Sequence, residues 1–471
     1  SNLKEIWLEK LNQRFKMLNK AKTLVPQIFR AAQLRNFSTS AAGKDLSSQN
    51  VDKAVTRGQR LQFSKKRLTE FGELPLGEIP DALKYDREFN LTKLNNGVRV
   101  ASEKLDSNLA TISVIVKAGS RQETIETSGV THFIEHLNFK GTKSRSKDQL
   151  ENDIENIGGQ LKAETGRETT TYTITVFKND VPKAVEILGD VILNSLYNKN
   201  QVEAEREIIY KECVDLQKDQ MESTLEGIHY TSYRDHMMGQ PIYGIRENIG
   251  LITQDMIKEY HATHYIGPNI AVVGAGNVEH KQLVELSEKI FGGVASQSPT
   301  GLEVKNAEKP YFTPSILSMR DDEMVNVNVG VFFEAPSWHD EDHFAMRMFE
   351  KVLGEYTQDK YTGAHLNSSD RQYNLLHQYL GELPDLTIHK AFYNPYSDTG
   401  LFGSYLHGNE VHAPQMLFMS QVILTEYAQF MNEVEVYRAR NKLYNELLQN
   451  ETGEDVARHI GNQVLYLNRR L

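Results

Sequence analysis

Two hydrophobic periods alternate along this chain. Leu91–Leu94 and Val98–Ala101 flank Asn95-Asn96-Gly97, a β-hairpin signature, because Asn-Gly readily takes the positive φ of a tight hairpin turn. Thr111–Val116 reads as a strand, and Thr169–Phe177 alternates and is rich in β-branched residues. Helical spacing predicts helices over 128–139, 146–157, 181–195 and 200–218. A second cycle opens near Val325 with Val-Asn-Val-Asn-Val-Gly-Val-Phe-Phe and passes to a helix over 340–353. A strand over 401–406 and a helix over 433–449 follow. Both halves run from strand to helix, as a duplicated unit would. The expected fold class is α+β, with two homologous α/β domains, each a mainly antiparallel sheet flanked by helices. We place the first at 91–305 and the second at 311–471, with the boundary at Glu303–Thr313.

The first ninety residues differ. Lys4, Lys10, Arg14, Lys16, Lys20, Lys22, Arg30 and Arg35 stand against only Glu5 and Glu9, while Leu3, Trp7, Leu11, Phe15 and Leu18 recur at helical spacing. This is a basic amphipathic helix. It ends in Arg35-Asn36-Phe37-Ser38-Thr39-Ser40, which looks like a mitochondrial presequence with its cleavage site. Residues 44–90, with Pro75 and Pro80, read as a polar linker. We expect the extension to be retained, ordered and docked on a neighbouring subunit or an anionic lipid surface.

Composition narrows the function. A net charge of -10 argues against a general nucleic-acid binder and is compatible with a cationic substrate. No apolar run approaches the ~20 residues of a membrane-spanning helix. Cys213 is the only cysteine, so no intrachain disulfide forms.

The chemistry concentrates in Ser128–Thr142. His132 and His136, four apart, stack on one helix face and can share one metal ion. Glu135 lies beside them, within reach of a metal-bound water. Two imidazoles and a carboxylate are ligands zinc accepts, with a fourth position left for water. The helix around Gln201–Lys218 offers Glu205 and Glu212, seven residues apart and so on one face. One can ligate while the other orients the ligands. Gly274-Ala-Gly276 is read as a strand-end turn, and His261 and His264 as surface residues.

With those residues in view, the segment from Leu91 to about Val278 resembles the inverted HxxEH peptidases that include mitochondrial processing peptidase β subunits and core subunits of the cytochrome bc1 complex. The resemblance runs through Lys117-Ala-Gly-Ser-Arg121, His132–His136 with Phe139-Lys-Gly-Thr142, Arg167-Glu168-Thr169, Ala184–Leu188, Glu205-Arg206, Arg246–Ile249 and His264-Tyr265. In the second half Tyr396–Gly403 matches a further family element. The resemblance implies His132, His136 and Glu212 as zinc ligands, Glu135 as general base and Glu205 as the carboxylate behind the ligands. It implies Glu222 and Glu226 as the pair that holds a substrate arginine. That pair also makes sense by itself, since carboxylates at i and i+4 can grip a guanidinium.

Departures from the family are Lys162 and Glu164 in the strand expected to pair with substrate, and Asn138 after the zinc motif. The second domain is also expected to stop short at Leu471, where relatives continue through another helix and strand. The implied function is presequence cleavage by a zinc metalloendopeptidase subunit in the mitochondrial matrix, or on the matrix face of the inner membrane. Its substrates would be cationic presequence peptides, bound extended along a sheet edge near residues 160–166. A homologous α-type subunit is the implied partner, with cytochrome bc1 subunits of complex III around it. The alternative is a catalytically silent core subunit of complex III.

Overall fold

The computed structural model describes residues 88–105, 107–298, 308–320, 322, 324–357, 386–429, 431, 433–448 and 452–470. The basic extension, its cleavage-site motif and most of the linker lie outside the described residues.

The first sheet contains β1 (Phe89–Lys93), β2 (Arg99–Lys104), β3 (Leu109–Val116), β4 (Gln160–Thr165), β5 (Thr170–Phe177) and β6 (Ile270–Gly276). Its order is β1-β2-β6-β3-β5-β4, antiparallel except for the parallel β2–β6 pair. The connecting helices are α1 (Val130–Leu137), α2 (Lys147–Asn156), α3 (Val181–Leu193), α4 (Lys199–Leu216), α5 (Gln220–Ser232), α6 (Gln254–His264) and α7 (His280–Phe291). The second sheet, ordered β7-β10-β9-β8, is antiparallel throughout. Its strands are β7 (Asn326–Glu334), β8 (Glu355–Thr357), β9 (Leu386–Pro395) and β10 (Gly400–Asn409). With it come α8 (His343–Leu353), α9 (Ala413–Gln429) and α10 (Glu433–Leu448), followed by α11 (Gly453–Leu467). The α+β class with two mainly antiparallel sheets is thus realised. No helix among the described residues is long and apolar enough to cross a membrane.

Burial of both faces of the first sheet explains why β3 and β6 read as apolar runs. On one face Ala110, Ile112, Val114, Val116, Ile270 and Val272 join a core with α1 and α3 residues. On the other, Ile115, Ala271, Val273 and Ala275 meet Val456, Ile460 and Val464 of α11. Successive strand residues point to opposite faces, so one strand serves two cores. Chain order groups α11 with the second half of the molecule, yet its apolar side is packed on the first sheet. The approach is close: a Cβ at Gly461 would fall 2.2 Å from Ile115 Cδ1.

Truncating Ile460, which is fully buried in this helix–sheet contact, removes packing that the rigid sheet cannot replace. Ile460→Ala is expected to cost about 2–5 kcal/mol of stability by chemical denaturation. A loss under ~1 kcal/mol would mean that α11 is not part of this core.

Candidate metal centre and active site

Helix α1 has no side-chain cap of its own, because its N-cap is Gly129, at φ 102°. A carboxylate from outside the helix fills that role. Glu123, fully buried, accepts the Gly129 N–H at 2.8 Å, the Thr131 N–H at 2.7 Å and the Thr131 hydroxyl at 2.6 Å. An anion at a helix N-terminus satisfies free N–H groups and complements the dipole. Burial outweighs those hydrogen bonds and pushes the Glu123 carboxyl up to about 7. Gly129 also packs backbone to backbone on Gly244: a Cβ at Gly244 would lie 2.5 Å from Gly129 Cα. That contact sets Tyr243 edge-on against His132, with ring centroids 5.1 Å apart.

From this anchored helix, His132 Nε2 and His136 Nε2 face each other at 3.1 Å. Glu212 Oε2, on α4, lies 3.2 Å from His136 Nε2 and 3.6 Å from His132 Nε2. Among the described residues this is the one group of His, Cys, Asp or Glu side chains arranged to hold a metal ion. A tetrahedral ion with bonds of ~2.0–2.1 Å has ligand–ligand edges of ~3.3–3.4 Å, so the triangle fits such an ion closely. Burial, then the neighbouring His136, pulls His132 down to about 3, so its imidazole is neutral and keeps a lone pair to donate. Its Nδ1 is buried without a hydrogen-bond partner.

Glu205, one face with Glu212 on α4 and almost fully buried, stands behind His136. Its Oε2 is 3.1 Å from His136 Nδ1, and its Oε1 is 2.7 Å from Lys140 Nζ. With Nδ1–H donating to Glu205, His136 presents Nε2 as an acceptor. Glu135, partly buried on the same helix, has no hydrogen-bond or ion-pair partner among the described residues. The four side chains expected around a metal therefore meet in one place, and the expected base, Glu135, precedes His136 on the same helix.

The acidic pair is arranged differently from a simple open clamp. Glu226 Oε2 is already 2.7 Å from Nη2 of Arg167, which is buried and also donates from Nε to the Met238 carbonyl. Glu222 keeps its side chain exposed on α5, and burial, then Asp219 and Glu226, raises its carboxyl above the ordinary range. Tyr243 joins the two regions. Burial, then Glu226, Glu222 and Glu135, pushes its phenol up to about 12.

Residues 160–165 form β4, which pairs only with β5 and leaves its other edge open among the described residues. Leu161 and Ala163 point to the core. Lys162 and Glu164 point the other way, to Glu454 and Arg458 of α11 at 3.0 and 3.5 Å. Asn138 joins a buried hydroxyl chain, donating to Tyr172 Oη and accepting from Tyr197. The reading of His261 and His264 as surface residues is corrected. His264 is buried against Tyr260, and burial lowers it to about 4. His261 bonds the Ile192 carbonyl at 2.7 Å and stacks on Tyr265.

Residues 99–246 match Insulinase (Peptidase family M16), and residues 251–443 match the Peptidase M16 inactive domain. The mitochondrial-processing peptidase subunit beta of Neurospora crassa is 35% identical over 81% of this chain and 79% of its own length. The chain belongs to peptidase family M16. The corresponding Bos taurus subunit is 36% identical over 82% of this chain and 77% of its own, and the Homo sapiens subunit 33% identical over 94% and 88%. In fold, this M16 chain resembles a protease from Helicobacter pylori, with a TM-score of 0.69, 20% identity and coverage of 81% of this chain and 91% of that one. A chain in the structure of Complex III2 from Candida albicans gives the same TM-score at 17% identity, covering 81% and 87%.

Glu123, Tyr243 and Arg167 escaped the reading of the sequence as functional residues. The available signal for Glu123 was an acidic residue a few positions ahead of a helix whose cap position is glycine. Its folded value lies above the ordinary 4.5, so the native state binds more protons than the unfolded chain between about 4.5 and about 7. The stability this group contributes is complete below about 4.5 and is lost as pH rises through about 7. The advantage of the wild type over Glu123→Gln should therefore shrink between pH 5 and 8, by on the order of 2–3 kcal/mol. Denaturation of both proteins at the two pH values measures it.

Proposed function

We propose that this chain is the catalytic, β-type subunit of a zinc-dependent peptidase that removes cationic presequences from proteins imported into the mitochondrial matrix. The observation that carries the reading is the triangle of His132 Nε2, His136 Nε2 and Glu212 Oε2, with edges of 3.1 to 3.6 Å, beside an unpartnered Glu135. Its M16 relatives named as processing-peptidase β subunits support the substrate class.

His132, His136 and Glu212 would hold the zinc, which when bound polarises the scissile carbonyl and acidifies a water molecule. Glu205 and Lys140 fix the tautomer and orientation of His136. Glu135 accepts the proton of the attacking water and returns it to the leaving amine. Substrate adds as a strand to the open edge of β4, its backbone bonding to that edge. Glu222, with Glu226 held behind it by Arg167, meets an arginine of the presequence. A homologous α-type subunit completes the chamber.

Glu135→Gln is expected to keep the metal, read by elemental analysis, while cleavage of a presequence peptide falls by about 10²–10⁴-fold. Loss of metal in that variant would reassign Glu135 as a ligand, and undiminished cleavage would sink its role as base.

Service as a core subunit of a bc1-type complex is the second part of the proposal, supported by the fold shared with a chain in the structure of Complex III2 from Candida albicans. Tagged full-length chain purified from solubilised mitochondria should then carry cytochromes b and c1 with it on native gels. Recovery with an α-type subunit alone would leave a matrix peptidase.

A further inference from the structure

Three consecutive residues of the second half reach into three elements of the first. Tyr396, Ser397 and Asp398 follow β9 in a tight turn closed by Tyr396 N–H donating to the Thr399 carbonyl at 2.8 Å. The Tyr396 hydroxyl lies 2.6 Å from His229 Nε2 on α5. His229 Nδ1 is 2.7 Å from the Leu225 carbonyl, so Nδ1 carries the proton. Burial, then Arg167, holds the imidazole neutral. Its Nε2 must therefore accept, and the Tyr396 hydroxyl donates. His229 stands less than one turn from Glu226 on the same helix.

Ser397 grips the turn between β4 and β5, and Asp398 grips Arg121 in the segment that follows β3. The Ser397 hydroxyl donates to Glu168 Oε1 at 2.6 Å, and its N–H donates to Glu168 Oε2 at 3.0 Å. Asp398 takes Arg121 with both oxygens, Nη1 at 2.8 Å and Nη2 at 2.6 Å, while Arg121 Nη1 also bonds Glu168 at 2.7 Å. Arg121 and Glu168 are both buried, and charge-assisted bonds in such surroundings are strong and directional. Glu168 follows Arg167, whose guanidinium holds Glu226 at 2.7 Å and lies close enough to Tyr396 to act on its phenol. Glu226 is thus held by Arg167 next to the β4–β5 turn, and the helix that carries it is tied at His229 to Tyr396. Both supports lead back to the same three residues.

We propose that Tyr396, Ser397 and Asp398 are positioning residues for the acidic subsite. Through them the second half of the chain sets how selectively the first recognises a guanidinium on a cationic peptide. The inference rests on the substrate class proposed above. A carboxylate already aligned by a buried arginine presents its free oxygen in a fixed direction and loses little freedom when a guanidinium docks. A loosened Glu226 would still attract positive charge but would discriminate less by geometry.

The test uses the full chain assembled with its α-type partner and carrying Glu135→Gln, so that peptides bind without being cut. Two labelled presequence peptides are compared by fluorescence anisotropy, one with arginine at the recognised position and one with citrulline there. The unaltered subsite should prefer arginine by roughly ten-fold, the worth of one charge-assisted hydrogen bond. Tyr396→Phe should reduce that preference by roughly five-fold while leaving citrulline-peptide affinity unchanged. Asp398→Asn should act in the same direction. Preference retained in both variants overturns the inference. So does equal weakening for both peptides, which marks a merely structural role, and so does absence of preference in the unaltered subsite. Cleavage of the arginine peptide by the complex with Glu135 intact is measured in parallel. If it is absent, the peptidase reading falls, and the binding data still decide the role of the turn.

Discussion

Everything in the candidate centre depends on how one short helix begins. Helix α1 supplies both histidines and Glu135, and a helix of eight residues has little stability of its own. The Glu123 carboxylate takes its first free N–H groups, and the Gly129–Gly244 contact fixes the backbone where the helix starts. Phe133, Ile134 and Leu137 press the opposite face into the core below the first sheet. With entry, axis and rotation all set, the two Nε2 atoms have only one place to point. Glu212 then reaches that place from α4, a helix more than twice as long, which can carry a half-exposed carboxylate without being deformed.

The centre was legible because its chemistry is periodic. A spacing of four on α1 and of seven on α4 each define a face, and faces survive any uncertainty about how helices are arranged. The strands around β3 and the hairpin at Asn95-Asn96-Gly97 were legible for the same reason. What escaped is long-range. Arg167 and Glu226 are 59 residues apart, and Arg121 and Asp398 are 277 apart. Neither member of such a pair bears a local mark of its partner. Tyr396 to Asp398 could be matched to a family element, yet the match carried no hint of which residues they would touch. The helical run of α11 has no special signal either. Its glycines at 453 and 461, ordinarily poor helix residues, make sense only against Thr111 and Ile115.

The pair Glu222 and Glu226 shows where spacing misleads by being right. The residues are one turn apart, as the sequence requires, and a pattern of that kind suggests two equivalent carboxylates. Their surroundings separate them: one is neutralised from within by a buried guanidinium, the other stands at the surface with a raised carboxyl. A charge count along the chain would assign this pair two equal negative charges, whereas an approaching cation would meet an uneven field.

The lap of α11 over the first sheet also bears on how the protein reaches its fold. Arg99 on β2 hydrogen-bonds Asn468 just beyond α11, a separation of 369 residues. One face of the first sheet, with Ile115 and Val273, packs among the described residues against Val456, Ile460 and Val464 of α11, which a ribosome delivers long after β6. During synthesis the early part of the chain must therefore wait with that apolar surface open, a state prone to aggregation and a natural client for chaperones. A nick or frameshift ahead of α11, far in sequence from the histidines, would act first on the sheet beneath them. Quality control could then read the integrity of the first sheet from the docking of α11.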